Sequence, residues 1–319
     1  MTARPLISLT LRTYNQREFV RETVCSALSQ DYSPLEIVIS DDASQDGTWD
    51  ILKEEVERYR SKGGPHQILL HRNEHNLGIA LNSQWTNDHA NGELIVDLGG
   101  DDVCFPNRVS RIVAAWQGNE CRALAIYHGA YKIDSRGQRQ GQLGEFYFTE
   151  GTLGAVAAYS KRLKEVFGPI EEQGAAEDEV YGNRALILGA KLYLRENLLN
   201  YRIGVGVSSG RKDYRNRQIR VYRIFKQSSL RQALKDLEHV QGMISAESYQ
   251  DFHNRFEGLL LDCAYWLDLL EATSLRTRFV AFMALNPRLS TSRRVFAVIL
   301  LFPKFAGDML LRLVSLLGL

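Results

Sequence analysis

The first half of the chain alternates short β-branched runs with amphipathic stretches over short connections, and few folds accept that order. LISLTL at 6–11, LEIVIS at 35–40, Gln67–Leu70 and Leu94–Leu98 read as strands. Between them, Arg17–Gln30 carries apolar residues at helical spacing, about Thr48–Arg60 and Ile79–His89 read as further helices, and Pro106 opens another. Strand, helix, strand, helix predicts a mixed, mostly parallel α/β sheet flanked by helices. In such sheets ligands bind in the crevice beyond the carboxyl ends of the strands. The polar and acidic clusters fall at those ends: Thr13-Tyr14-Asn15, Asp41-Asp42 and Asp101-Asp102. Three loops are therefore expected to converge on one site.

Downstream, Ala123–Tyr127 reads as a short strand, 134–151 as a Gly- and Gln-rich loop, and Leu153–Tyr159 as a strand candidate. A helix is expected over Val180–Leu188, and Lys191–Ile203 looks extended. From about Tyr214 the character changes to long amphipathic helices near 215–241, 245–272 and 276–286. The chain is thus expected to divide into a catalytic domain, 1–212, and a helical extension, 213–319, that is a candidate for membrane association.

Composition narrows the class. Of 319 residues, 45% are apolar and 24% charged, and the formal net charge is +1, so nothing draws the whole chain to nucleic acid. Arg211–Arg231 is basic, but a solvated helix face is the simpler account, with attraction to anionic lipid a third reading. The four cysteines (Cys25, Cys104, Cys121, Cys263) are far apart, which fits a reducing compartment and no disulfide framework. The N-terminus does not read as a signal peptide, and no uninterrupted run of 18 apolar residues marks a membrane span. Val295–Phe302 and Met309–Leu319 are nonetheless apolar around Lys304 and Arg312. The expected location is the cytoplasm, with peripheral contact at the inner face of the cell membrane left open.

The acidic pairs carry the chemistry. Two adjacent carboxylates after a buried strand repel each other, and a divalent cation with a taste for oxygen removes that repulsion. Asp101-Asp102 therefore suggest Mg²⁺ or Mn²⁺ bridging a diphosphate, against the plainer reading of a polar turn. Asp41-Asp42 suggest contact with a base or ribose, while Asp46 or Thr48 more simply caps the next helix. Glu177-Asp178 stand before a helix, where a general base and a carboxylate complementing the helix dipole are equally good readings. His71, Glu74 and His75 match an inverted zinc-protease pattern, but they follow a strand and precede a turn rather than sharing a helix face. Fingerprints of dinucleotide and P-loop folds are absent from the sequence.

Taken in order, TYN at 13–15, SDDASQDGT at 40–48, NLG at 76–78, GGDD at 99–102 and ED at 177–178 resemble the family 2 glycosyltransferases of GT-A fold. The resemblance covers about 5–205, and FGPI, AED and RALILGAK between Val166 and Gly189 resemble the acceptor-side region of that family. It implies an inverting enzyme that moves a sugar from a nucleotide diphosphate, usually of uridine, to an acceptor hydroxyl in polysaccharide or glycolipid assembly. It implies that Thr13, Tyr14, Asn15, Asp41, Asp42 and Asn76 line the nucleotide pocket, with Asp42 on the base. Asp101 would join the sugar-diphosphate site and Asp102 would ligate Mg²⁺ or Mn²⁺. Asp178 would be the catalytic base and Glu177 would position donor or acceptor. The partners implied are a nucleotide-sugar donor and a saccharide or lipid-linked saccharide acceptor. Two departures stand out: Gly99 replaces the first acid of the family's Asp-x-Asp-Asp, and no His follows Tyr201-Arg202. A nucleotide-binding regulatory protein on the same scaffold is the alternative, and a nicotinamide-dependent oxidoreductase is disfavoured by the missing glycine fingerprint.

Overall fold

A computed structural model describes residues 4–143, 153–205, 225–271 and 274–285. The chain divides into two compact units, Met1–Glu171 with Ala176–Ser209, and Glu172–Ala175 with Gly210–Leu319.

The first unit is built on one sheet. Strands β1 (Ile7–Thr13), β2 (Leu35–Asp41), β3 (Gln67–Arg72) and β4 (Leu94–Gly99) run parallel in the order β3-β2-β1-β4. β2 is buried at every position and β1 at all but Arg12, as expected of strands covered on both faces. β3, at the edge, alternates between exposed and half-buried residues. Helices α1 (Val20–Leu28), α2 (Thr48–Ser61), α3 (Ile79–Asp88) and α4 (Arg108–Gly118) bury stripes such as Val109, Ile112, Val113 and Trp116. Gly47, in the left-handed region at φ 95°, is the N-cap of α2, and one residue before it the Asp46 carboxylate accepts from the Thr48 amide at 3.0 Å, which satisfies the first amide of the helix.

Beyond β4 the sheet becomes mixed. β5 (Val103–Cys104), β6 (Ala125–Ile133), β7 (Arg139–Gln142), β8 (Ala157–Ser160) and β9 (Lys191–Arg202) extend it in the order β4-β8-β6-β9-β5, with β7 on β6. β6 and β9 pair in parallel, while β8 runs antiparallel to both of its neighbours. A short helix, α5 (Arg162–Phe167), precedes α6 (Glu177–Ile187).

Two local expectations change. The 134–151 stretch contains β7, because Asp134 accepts the amides of Arg136 and Gln138 at 2.9 Å and Gly137 turns at φ 77°, which closes a hairpin. All four β7 residues are exposed, so no apolar alternation announced the strand. The strand expected from Leu153 begins only at Ala157, after a 3-10 turn at Gly154–Val156. The rest of the expected loop, 144–152, lies outside the described residues.

In the second unit, α7 (Gln227–His239), α8 (Ala246–Glu271) and α9 (Leu275–Leu285) are the long helices. α7 buries Leu230, Ala233 and Leu237 on one face. The boundary near 212, most of the basic 211–231 segment and the apolar runs 295–302 and 309–319 lie outside the described residues. Among the described residues no helix is long and apolar enough to cross a membrane.

Candidate active site

Register places three loops at one rim. Thr13 stands beside Asp41, and Arg12 beside Gly99, so β1, β2 and β4 end at the same level. The pleat then separates the first acidic pair. Asp41 is fully buried and accepts from Thr13 Oγ1 at 3.0 Å, Ser44 N at 3.0 Å and Ser44 Oγ at 2.6 Å, with Arg72 Nε 3.4 Å away. Its neighbour Asp42 accepts from Asn73 Nδ2 and the Leu77 amide at 2.8 Å and from the Gly78 amide at 2.9 Å. Asp41 therefore braces the β1 and β2 ends, and Asp42 ties down the turn that carries Asn76.

Asn76 is exposed, and its side-chain oxygen accepts from the Gly78 amide at 2.9 Å. Tyr14 is exposed on the same rim, whereas Thr13 is buried. Asn15 takes the left-handed conformation at φ 50°, with its side-chain oxygen on the Gln45 amide at 2.9 Å. The loops after β1 and β2 thus hold each other.

Asp101 and Asp102 follow a tight approach. A Cβ on Gly100 would lie 2.7 Å from Thr13 Cγ2 and overlap Gln16, so only glycine fits. A Cβ on Gly99 would meet Asp101 Oδ1 at 3.2 Å and Asp102 Oδ2 at 3.3 Å, so both carboxylates bend over the residue that replaces the expected first acid. Asp102 is buried and accepts from the Arg202 amide at 2.8 Å. Burial, reinforced by the charge of Asp101, pushes its carboxyl well above the usual range, and burial raises Asp101 as well. Two hard oxygen donors with disfavoured charge fit a divalent cation. Among the described residues no group of three or more His, Cys, Asp or Glu forms a complete metal cage.

Glu177 and Asp178 open α6. Glu177 accepts from Ser83 and Asn87 on α3 and lies 3.9 Å from Arg12. The next carboxylate, Asp178, accepts from the Gly154 amide at 3.1 Å and the Glu179 amide at 2.9 Å. Burial first, then the charge of Glu179, pushes its carboxyl up to about 6. Burial also raises Glu177. This helix start meets the rim through Arg12, next to Thr13.

Two residues at the site were given no role by the sequence. Asn73 is buried between Asp42 and Asn82. Arg202, also buried, donates from Nε to the Asp101 carbonyl at 2.9 Å and from Nη2 to Glu22 at 2.8 Å, besides holding Asp102 through its amide. The sequence signal for Asn73 is a polar side chain just past β3, and for Arg202 it is the Tyr201-Arg202 pair at the end of β9.

The sequence profile described as Glycosyl transferase family 2 matches residues 8–168, half of the chain. The chain belongs to glycosyl transferase family 2. Among family relatives, the Escherichia coli UDP-Glc:alpha-D-GlcNAc-diphosphoundecaprenol beta-1,3-glucosyltransferase WfaP is 33% identical over 105 residues, 33% of this chain and 39% of WfaP. The chain spans less than two thirds of the length of the curated relatives it matches. Its fold is that of GT-A glycosyltransferases. A mannosyltransferase from Pyrobaculum calidifontis, solved with GDP-Man and Mn²⁺, superposes with TM-score 0.55 at 18% identity over 97% of this chain and 87% of that one. Staphylococcus aureus TarS 1–349, solved with UDP-GlcNAc, gives 0.52 at 16% over 83% and 86%.

Proposed function

We propose that this chain transfers a sugar from a nucleoside-diphosphate donor, with uridine as the expected base, to an acceptor hydroxyl with inversion at the anomeric carbon. The observation that carries the reading is the meeting at one sheet rim of the Asp42 loop, the Asp101-Asp102 pair and the start of α6. Tyr14 and the Asp42-braced turn with Asn76 bind the nucleoside. Thr13 and Asn15 shape that pocket from behind, and Asp41 supports it. Asp178 takes the acceptor proton as the hydroxyl attacks, and Glu177 fixes the position of Asp178. Asp101 and Asp102 would hold Mg²⁺ or Mn²⁺, which supplies positive charge to a departing diphosphate. The Mn²⁺ with the structurally similar mannosyltransferase and the uridine donors named for TarS and WfaP support donor and metal class.

The named acceptor of WfaP, a diphosphoundecaprenol, supports a lipid-linked saccharide acceptor here. Exposed Phe279, Val280 and Met283 on α9 and the apolar 295–302 and 309–319 sequences support peripheral contact with the inner face of the membrane. Deleting 290–319 is then expected to lower binding to anionic vesicles, and unchanged partition would remove the membrane part alone.

The test of the core reading is a panel of nucleotide sugars scored for Mn²⁺-dependent donor hydrolysis. Asp102→Ala and Asp178→Ala are each expected to lose at least about 100-fold while keeping the wild-type circular dichroism. Nucleotide binding with no donor turned over by the wild type would favour the regulatory alternative.

A further inference from the structure

Arg12 is an unusual side chain to half-bury near the end of a central strand. It lies on the β1 face that also carries Thr10, and Thr10 stands in register with Asp97 of β4. Arg12 Nη2 lies 3.4 Å from Asp97 Oδ2, and Thr10 Oγ1 donates to Asp97 Oδ1 at 2.8 Å. The other arm of the guanidinium donates to Ser83 Oγ and reaches Glu177 Oε2 at 3.9 Å. The side chains of Arg12, Asp97 and Glu177 are 20%, 4% and 12% exposed, so water screens this cluster weakly. We propose that Arg12 and Asp97 are positioning residues for the Glu177-Asp178 corner, a half-buried ion pair that anchors the start of α6 to β1 and sets the charge balance around the Asp178 carboxyl. This rests on the reading of Asp178 as the base.

The charges make the idea testable. Arg12 interacts with Asp97, Glu177 and Asp178 together, one cation against three carboxylates. The other titratable groups facing Asp178 are Glu179 on its own helix, Tyr127 on β6 and Tyr159 on β8. Burial holds both phenols neutral, so they add no charge across the range that matters. Losing the cation removes an attraction for the Asp178 anion, and losing Asp97 removes a repulsion. The two changes must move Asp178 in opposite directions, whereas loss of mere scaffolding has no reason to do so.

The experiment follows the Asp178 carboxyl by ¹³C NMR in aspartate-labelled protein, assigned by the signal missing from Asp178→Asn. Arg12→Met is expected to move the midpoint up and Asp97→Asn to move it down, each by about a few tenths of a pH unit, since burial and Glu179 outweigh both charges at Asp178. Arg12→Lys, which keeps the charge, stays near wild type. Shifts of the same sign, or no shift in Asp97→Asn, overturn the proposal. If Arg12→Met does not fold, Asp97→Asn alone decides. The pH dependence of UDP-glucose hydrolysis with Mn²⁺ separates the two readings. An acid limb that follows the NMR midpoints supports both. Midpoints that move as stated under an unmoved limb leave the ion pair its role and remove Asp178 as base.

Discussion

Asp178 keeps its carboxyl where charge is disfavoured, with two amides as its hydrogen-bond donors and burial pushing its pKa up to about 6. A base works only when deprotonated, so the rate of transfer is expected to rise tenfold per unit below pH 6 and to level off above it. Asp178→Asn is expected to lose about 10³-fold and, with it, that limb. The same shift bears on stability. The folded pKa lies above the ordinary 3.8, so Asp178 costs stability as pH rises from about 4 through about 6. Removing the charge should therefore stabilise the fold by up to about 3 kcal/mol at pH 8 and by nothing near pH 4. Paired melts of wild type and Asp178→Asn check this, and an equal difference at both pH values would contradict it. The residue types were legible in the sequence, since paired acids at strand ends are conspicuous. Their division of labour was not. Asp41 and Asp42 look equivalent in the sequence, yet the pleat turns one toward Thr13, Ser44 and Arg72 and the other toward Asn73, Leu77 and Gly78. Which partner an acid meets depends on strand register, and register is not a local property.

At the scale of elements, the rim is a set of loops that hold one another. The Asp42 carboxylate spans from the end of β2 to the turn before α3 and accepts three hydrogen bonds there. Asn73→Ala removes one of the three and also strips a donor from Asn82. The turn should keep its fold through the Leu77 and Gly78 amides but lose definition. Affinity for UDP, read by calorimetry, is expected to fall about tenfold, with a loss of stability of about 1–2 kcal/mol. Unchanged affinity would mean that this turn does not touch the nucleotide. Gly100→Ala is the sharper case, because its methyl would meet Thr13 and overlap Gln16. The loop carrying Asp101 and Asp102 must then move, and donor hydrolysis should fall by more than stability alone explains. The long, periodic elements were readable, as β1, β2, β4, α1, α2 and α4 follow apolar patterns, whereas α3 buries Asn82, Ser83, Thr86 and Asn87 and exposes Ile79 and Leu81. The short ones were not: β5 has two residues and β7 has no buried one, so both exist only because partners pair with them.

Over the whole molecule the raised carboxyls have a common sign. Burial lifts Asp101, Asp102, Glu177 and Asp178 above their ordinary values. In each case the folded state holds its proton to higher pH than the unfolded chain does. These four groups therefore favour folding at low pH, and their contribution is lost as pH rises from the ordinary carboxylate range through their raised folded values, about 6 for Asp178. Burial keeps His66 and His128 neutral, which works the other way below about pH 6.5, so the carboxyl contribution is read as a difference: without a divalent cation, the melting-temperature gap between Asp101→Asn/Asp102→Asn and wild type is expected to widen between pH 5 and pH 8. A cation held by Asp101 and Asp102 offsets their share, but only once both are ionised. Saturating Mn²⁺ should then raise the melting temperature by several degrees at pH 8, the order given by about 2–3 kcal/mol of binding linkage, and by much less at pH 5. Asp101→Asn/Asp102→Asn should melt higher than wild type at pH 8 without metal and show no Mn²⁺ response. A response that persists in the double variant, or is as large at pH 5 as at pH 8, would place the cation elsewhere and leave the acidic pair as a capped turn.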